Sequence, residues 1–88
     1  MDLDAIKEAI VNNVYHIPSD KKVPLHKHDD KDEIFYCIKG SGFGVLEDRE
    51  VELNVGQSFI ARAGTMHSVR SDTETYVCAF LVPVLEDQ

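Results

Sequence analysis

The stretch Val51-Glu52-Leu53-Asn54-Val55 alternates apolar and polar residues without a break and stops at Gly56. Successive side chains of a strand point to opposite faces, so this pattern gives a strand one buried and one wet face. Wound into a helix, it would scatter its apolar groups all round. The same grammar recurs along most of the chain. Val14 to Ile17 stops at Pro18, and Val23 to His28 is an extended piece holding Pro24, which cannot donate to a central ladder. Glu33 to Lys39 is rich in β-branched and aromatic residues and ends at Gly40-Ser41-Gly42. Phe43 to Glu47 leads into the polar turn Glu47-Asp48-Arg49-Glu50, and Ser58 to Arg62 ends at Ala63-Gly64-Thr65. His67 to Ser71 follows, and Thr75 to Val84 is the longest and most continuously apolar segment. About eight short strands, set at intervals of roughly eight to twelve residues, predict an all-β antiparallel sandwich or barrel. Ahead of them Leu3, Ile6, Ile10 and Val11 recur with the spacing of a helix face, predicting a short amphipathic helix over residues 2–13. Asp2 or Asp4 is suited to cap it and Asn12-Asn13 to stop it. The β-structure is then expected over 14–85, in a single domain spanning 1–88.

A chain of 88 residues buries only about 60 to 65% of its unfolded surface, so a bound metal or a partner subunit is the usual supplement to its thin core. With 16 Asp and Glu against 9 Lys and Arg, the net charge is −7. No basic cluster interleaved with aromatics occurs, which argues against nucleic acid and against anionic membrane as partners. No apolar run approaches the roughly 18 residues of a membrane span, and Met1 is followed by acid where an export signal has a basic start. A soluble, cytoplasmic protein is expected. Cys37 and Cys78 sit inside apolar runs and read as small core residues. Their even number leaves pairing open, and a reducing compartment argues against it.

Chemistry concentrates in "LHKHDDKDEIFYCIKG", Leu25 to Gly40. On a strand, His26 and His28 project to the same side while Lys27 faces away, which suits two imidazoles sharing one ion at about 2.0 to 2.1 Å. The polar run Asp29 to Asp32 reads as a surface turn that returns the next strand antiparallel. Glu33 then lies beside the histidines, with Phe35 and Cys37 on its face. A fourth candidate is His67, placed by a tight turn at Gly64. Taken singly, each signal has a plain reading: His-x-His is weak, an acidic run is ordinarily a solvated turn, and His67 an ordinary edge residue, as His16 is read. Their joint spacing favours a metal site.

These residues carry a resemblance. From His26 to Gly40, "HKHDDKDEIFYCIKG" resembles the first motif of the cupin superfamily: His-x-His, three or four residues, Glu, six residues, Gly. "GQSFIARAGTMHSVRS" is similar to the second motif at Gly56, Gly64 and His67. Asp20 stands where a glycine usually precedes the first motif, Arg62 and Ser71 replace the proline and asparagine of the second, and Met66 stands where many members carry another proline. None of these is a ligand position in the family. The resemblance implies a single small jelly-roll barrel whose metal ligands are His26, His28, Glu33 and His67. Three imidazoles and one carboxylate suit one divalent transition metal per chain, Fe, Mn, Ni, Cu or Zn, with positions left open.

Around such an ion, Phe35, Cys37, Phe59 and Phe80 are expected to line a small pocket, with Arg62 either at its rim facing a carboxylate or solvated. No nucleophile paired with a base is present. Two readings stay open: a metal-dependent enzyme, dioxygenase- or isomerase-like, acting on a small polar molecule, and a non-catalytic small-molecule binding or sensor module. The thin core, the outward-facing Ile34, Tyr36 and Ile38, and the family resemblance predict a homodimer.

Overall fold

The computed structural model describes residues 2–85. Its elements are α1 (Leu3–Ala9), β1 (Val11–Ile17), β2 (Lys31–Lys39), β3 (Ser41–Leu46), β4 (Glu50–Asn54), β5 (Ser58–Ala61), β6 (His67–Ser71) and β7 (Thr75–Pro83). The strands form two antiparallel sheets, one ordered β1-β7-β2-β5 and the other β4-β3-β6. Their inner faces share one core. Ile17, Phe35, Cys37, Phe59, Ala61, Val77 and Ala79 come from the first sheet, and Leu53 and Val69 from the second. This is the jelly-roll class expected, built as two facing open sheets without a closed ring of hydrogen bonds. Among the described residues no helix is long and apolar enough to cross a membrane.

Alternation sets which side chains meet in the middle. Along β2, Glu33, Phe35 and Cys37 are buried, whereas Tyr36 and Ile38 are 43% and 48% exposed on the opposite face. Leu53, the central residue of the alternating stretch that sits in β4, is fully buried. The interior is tight where the sheets approach: a Cβ at Gly44 would lie 2.3 to 2.5 Å from the Phe59 ring. Glycine at this position lets Phe59 cross the space between the sheets and stack on Phe35, with ring centroids 6.0 Å apart.

Two expected elements differ. The helix is capped as anticipated, the Asp2 carboxylate accepting from the backbone of Asp4 and Ala5, but it ends at Ala9 and not at residue 13. Val11, Asn12 and Asn13 pair instead with Leu81, Phe80 and Ala79 of β7. Long-range ladder bonds override the local periodicity that Ile10 and Val11 suggested. The extended piece Val23 to His28 runs beside β6 but touches it as isolated bridges, Lys22 with Arg70 and His26 with His67. Pro24 brings no N–H to that ladder, which is why the segment stays irregular.

Candidate metal centre

The site spans the gap between the two sheets. Glu33 lies on the inner face of β2, 3% exposed, and His67 opens β6 of the opposite sheet. His26 and His67 exchange backbone bonds, His26 N to His67 O at 3.0 Å and His67 N to His26 O at 2.8 Å, which sets the two residues directly opposite each other. The His28 carbonyl accepts from Gly64 N at 2.7 Å, and Gly64 holds φ +83°, a left-handed conformation that costs glycine little. The acidic turn contributes here: the Asp32 carboxylate accepts from Ala63 N at 2.8 Å and so ties the hairpin of His67 to the start of β2.

Three imidazoles converge on one carboxylate oxygen. Nε2 of His67, His26 and His28 lie 2.8, 3.1 and 3.3 Å from Glu33 Oε1, and the four candidate ligand atoms all fall within 4.8 Å of one another. The far nitrogens of two rings meet backbone carbonyls, His26 Nδ1 at 2.9 Å from Pro24 O and His67 Nδ1 at 2.8 Å from Thr65 O. A ring that donates Nδ1–H to a carbonyl can turn an unprotonated Nε2 to an ion in place of the Glu33 hydrogen bond, the arrangement in which an imidazole binds a metal. His28 Nε2 is buried and finds no hydrogen-bond partner among the described residues, its 3.3 Å approach to Glu33 being poorly aligned. A buried nitrogen left orphaned is a fit for an ion, which would satisfy it.

Charge supports the same assignment. Burial acts to push the Glu33 carboxyl up, but the hydrogen bonds from His67 and His26 outweigh it and hold the group below its ordinary value, as a carboxylate. Burial acts to lower the His67 imidazole, yet its bonds to Glu33 and to the Thr65 carbonyl hold it above its ordinary value. Both directions arise at one contact, His67 Nε2 to Glu33 Oε1 at 2.8 Å, which is the place a cation would take.

Beside the cluster is a cavity of about 340 Å3, lined by His26, His28 and Glu33 together with Tyr15, Val23, Pro24, Phe35 and Leu81. Of the residues expected to line a pocket, Phe35 does so. Cys37 is fully buried in the core, its thiol donating to the Lys39 carbonyl, and Phe59 stands behind Phe35. Phe80 is a correction: it pairs with Ile34 and Asn12 on the outer face of β7, because Val77 and Ala79 take the inner one. For Arg62 the solvated of the two expected places is found. Its side chain is 79% exposed and reaches Asp32 at 3.6 Å, away from the cavity. Tyr15 and Leu81 are walls that sequence reading missed, although parity with the buried Ile17 and Ala79 marks both as inward.

The departures from the second motif have local roles. The Ser71 hydroxyl donates to the Pro18 carbonyl, and Asp20 adopts φ +60°, which aspartate tolerates better than most residues. His16 lies apart from the site, 3.0 Å from Glu74 and stacked on Tyr76. Cys37 and Cys78 are both free, on opposite faces of the first sheet.

The Cupin domain family matches residues 13–84. This chain belongs to the cupin family. Quercetin 2,3-dioxygenase of Bacillus subtilis is 33% identical to this cupin over 69 residues, covering 77% of the chain but 20% of the relative. An uncharacterized protein of Methanocaldococcus jannaschii is 26% identical over 80 residues, covering 80% of the chain and 64% of the relative. The chain thus spans less than two thirds of either relative's length. Among solved structures, a predicted oxalate decarboxylase from Thermotoga maritima superposes with a TM-score of 0.81 at 22% identity, over 96% of this chain and 76% of that one. At that identity the likeness is one of fold.

Proposed function

We propose that this cupin binds one divalent transition metal through His26, His28, Glu33 and His67, and that the ion acts on a small molecule held in the adjoining cavity. The observation that carries the reading is the convergence of three imidazole Nε2 atoms on Glu33 Oε1, with two of the rings oriented by backbone carbonyls and the third left unpartnered. Three nitrogens and one carboxylate oxygen favour Fe, Mn, Ni, Cu or Zn over Mg or Ca, which prefer more oxygen. When bound, such an ion supplies Lewis-acid or redox chemistry at any coordination position that the four side chains leave open. The chain's own residues then hold the ion, and Val23, Pro24, Phe35 and Leu81 exclude water from one side of it.

A dioxygenase- or isomerase-like activity is our first reading, and the name of the Bacillus subtilis relative leans towards the dioxygenase. The Thermotoga maritima name directs attention to a small dicarboxylate, but no Lys or Arg lines this cavity. One observation favours a second reading, a binding module without turnover: apart from the four proposed ligands, the lining offers no group but the Tyr15 phenol to move a proton. We also propose a homodimer through the outer face of the first sheet, where Ile34, Tyr36, Ile38 and Ile60 are joined by Val14, 64% exposed.

The test begins with tag-free protein, its metal content measured by elemental analysis, followed by oxygen uptake and product detection with a panel of small acids, sugars and phenols. Near-stoichiometric metal, lost in both His26→Ala and His67→Ala, is expected. Unchanged stoichiometry in the two variants would sink the assignment, and full occupancy with no turnover would select the binding module.

A further inference from the structure

We infer that the cavity beside the metal centre selects a neutral, ring-sized and largely apolar molecule with an oxygen-bearing head, and rejects one carrying a carboxylate on its body. This rests on the metal reading above and narrows it to a class of ligand. The walls argue for it. Beyond the three proposed ligands that line it, the cavity presents Val23, Pro24, Phe35, Leu81 and Tyr15. None is Lys or Arg. Arg62, Lys31 and Lys27 lie against Asp32, Asp30 and Asp29 at 3.6, 3.6 and 3.4 Å, and Lys21 and Lys22, which precede Val23, line a separate cleft with Arg70. The cavity opens to solvent on the side of Tyr15, which is 38% exposed, but a carboxylate turned against Val23, Phe35 and Leu81 would give up water there and find no cationic partner.

Size sets the second limit. An apolar cavity of about 150 Å3 accommodates benzene, so about 340 Å3 takes one substituted ring with space to spare and lies near the lower end of small-molecule pockets. Polarity sets the third. Tyr15, 38% exposed at the mouth, is the one lining side chain, outside the proposed ligands, that carries a hydrogen-bonding group. β1 turns it inward with the buried Ile17. The ligand's oxygens therefore have two places to go, the metal and the Tyr15 hydroxyl, and its ring meets the apolar wall. Tyr15 acts here as a positioning residue.

Two probes isolate the walls from the metal. 4-Methylcatechol and 3,4-dihydroxybenzoate share one diol head and differ by a methyl against a carboxylate at the same ring position. Both are titrated by calorimetry, without oxygen, into the full chain loaded with redox-silent zinc. We expect 4-methylcatechol to bind about tenfold or more tighter, the buried methyl gaining and the unpaired carboxylate losing. Equal affinity, or preference for the benzoate, overturns the proposal. Tyr15→Phe should weaken 4-methylcatechol about 2- to 10-fold, the worth of one hydrogen bond, with zinc stoichiometry unchanged; unchanged affinity removes Tyr15 from the proposal. Zinc content of the same sample reads the metal assignment separately. A sample that holds no zinc overturns that assignment, and the two probes titrated into it still rank the walls.

Discussion

Replacing His28 by leucine should stabilise the metal-free protein and shrink the stabilisation that metal brings. In the metal-free state His28 Nε2 is buried without a hydrogen bond, and an unsatisfied buried nitrogen costs about 1 to 3 kcal/mol. Its 3.3 Å approach to Glu33 offsets only part of that. The His28 side chain is 31% exposed, and a partly exposed pair of this kind contributes about 0 to 1 kcal/mol. Glu33 meanwhile keeps its bonds to His67 and His26. Leucine also extends the apolar wall of Val23 and Leu81. The balance is a gain of about 1 kcal/mol or more, which raises Tm by about 4 to 8 °C per kcal/mol in a domain this small. With metal that gain is offset. An ion at a hundred times its Kd stabilises the native chain by about 2.7 kcal/mol, and removing one of four ligands should weaken binding at least about tenfold, forfeiting about 1.4 kcal/mol of that. The assay is thermal unfolding of wild type and His28→Leu, each in chelator and in zinc. A variant less stable than wild type in chelator would refute the orphaned nitrogen as a strained, ion-seeking group, and a zinc-induced rise equal to that of wild type would refute its place among the ligands.

Two further predictions bear on the scaffold. Gly44→Ala should cost about 1 to 3 kcal/mol by urea unfolding, since its methyl overlaps the Phe59 ring. The same change in a Phe59→Ala background should be near neutral or stabilising, and additivity of the two would show that the ring can move aside. Light scattering at micromolar concentration should give the mass of a dimer, and Tyr36→Lys on the outer face should shift it towards monomer and remove the concentration dependence of Tm that a dimer shows; a monomeric wild type defeats the homodimer proposal.

The legible parts of this protein are those in which one local rule decides the outcome. Alternation placed Leu53 inward and Tyr36 and Ile38 outward, although Val51 and Val55 of the same stretch as Leu53 are exposed, and turn residues marked where β5 begins and ends, whereas Ser41 and Gly42, expected in a turn, open β3. The four candidate ligands were legible for the same reason: an extended His-x-His keeps both rings on one side, and a bend at Asp29-Asp30, shorter than the expected turn because Lys31 and Asp32 already belong to β2, together with the turn at Gly64, brings Glu33 and His67 back to them. Where two rules compete, sequence alone does not decide. Ile10 and Val11 satisfy a helix stripe and a strand equally, and the ladder with β7 settles the matter. Phe80 lies in a strand apolar on both faces, so its composition carries no parity signal, and only the pairing with β1 and β2 turns it outward.

The cavity wall is the strongest case, because it is assembled from three places far apart in sequence. Tyr15 and Leu81 belong to paired edge and inner strands of the first sheet, whereas Val23 and Pro24 belong to an irregular segment that touches the second. Pro24 links wall and centre directly: its missing N–H keeps the segment out of a regular ladder, while its carbonyl faces His26 Nδ1 at 2.9 Å. The residue that breaks the strand is thus also the one that orients an imidazole. Local irregularity at this point is what allows the second sheet to reach across and meet Glu33 of the first.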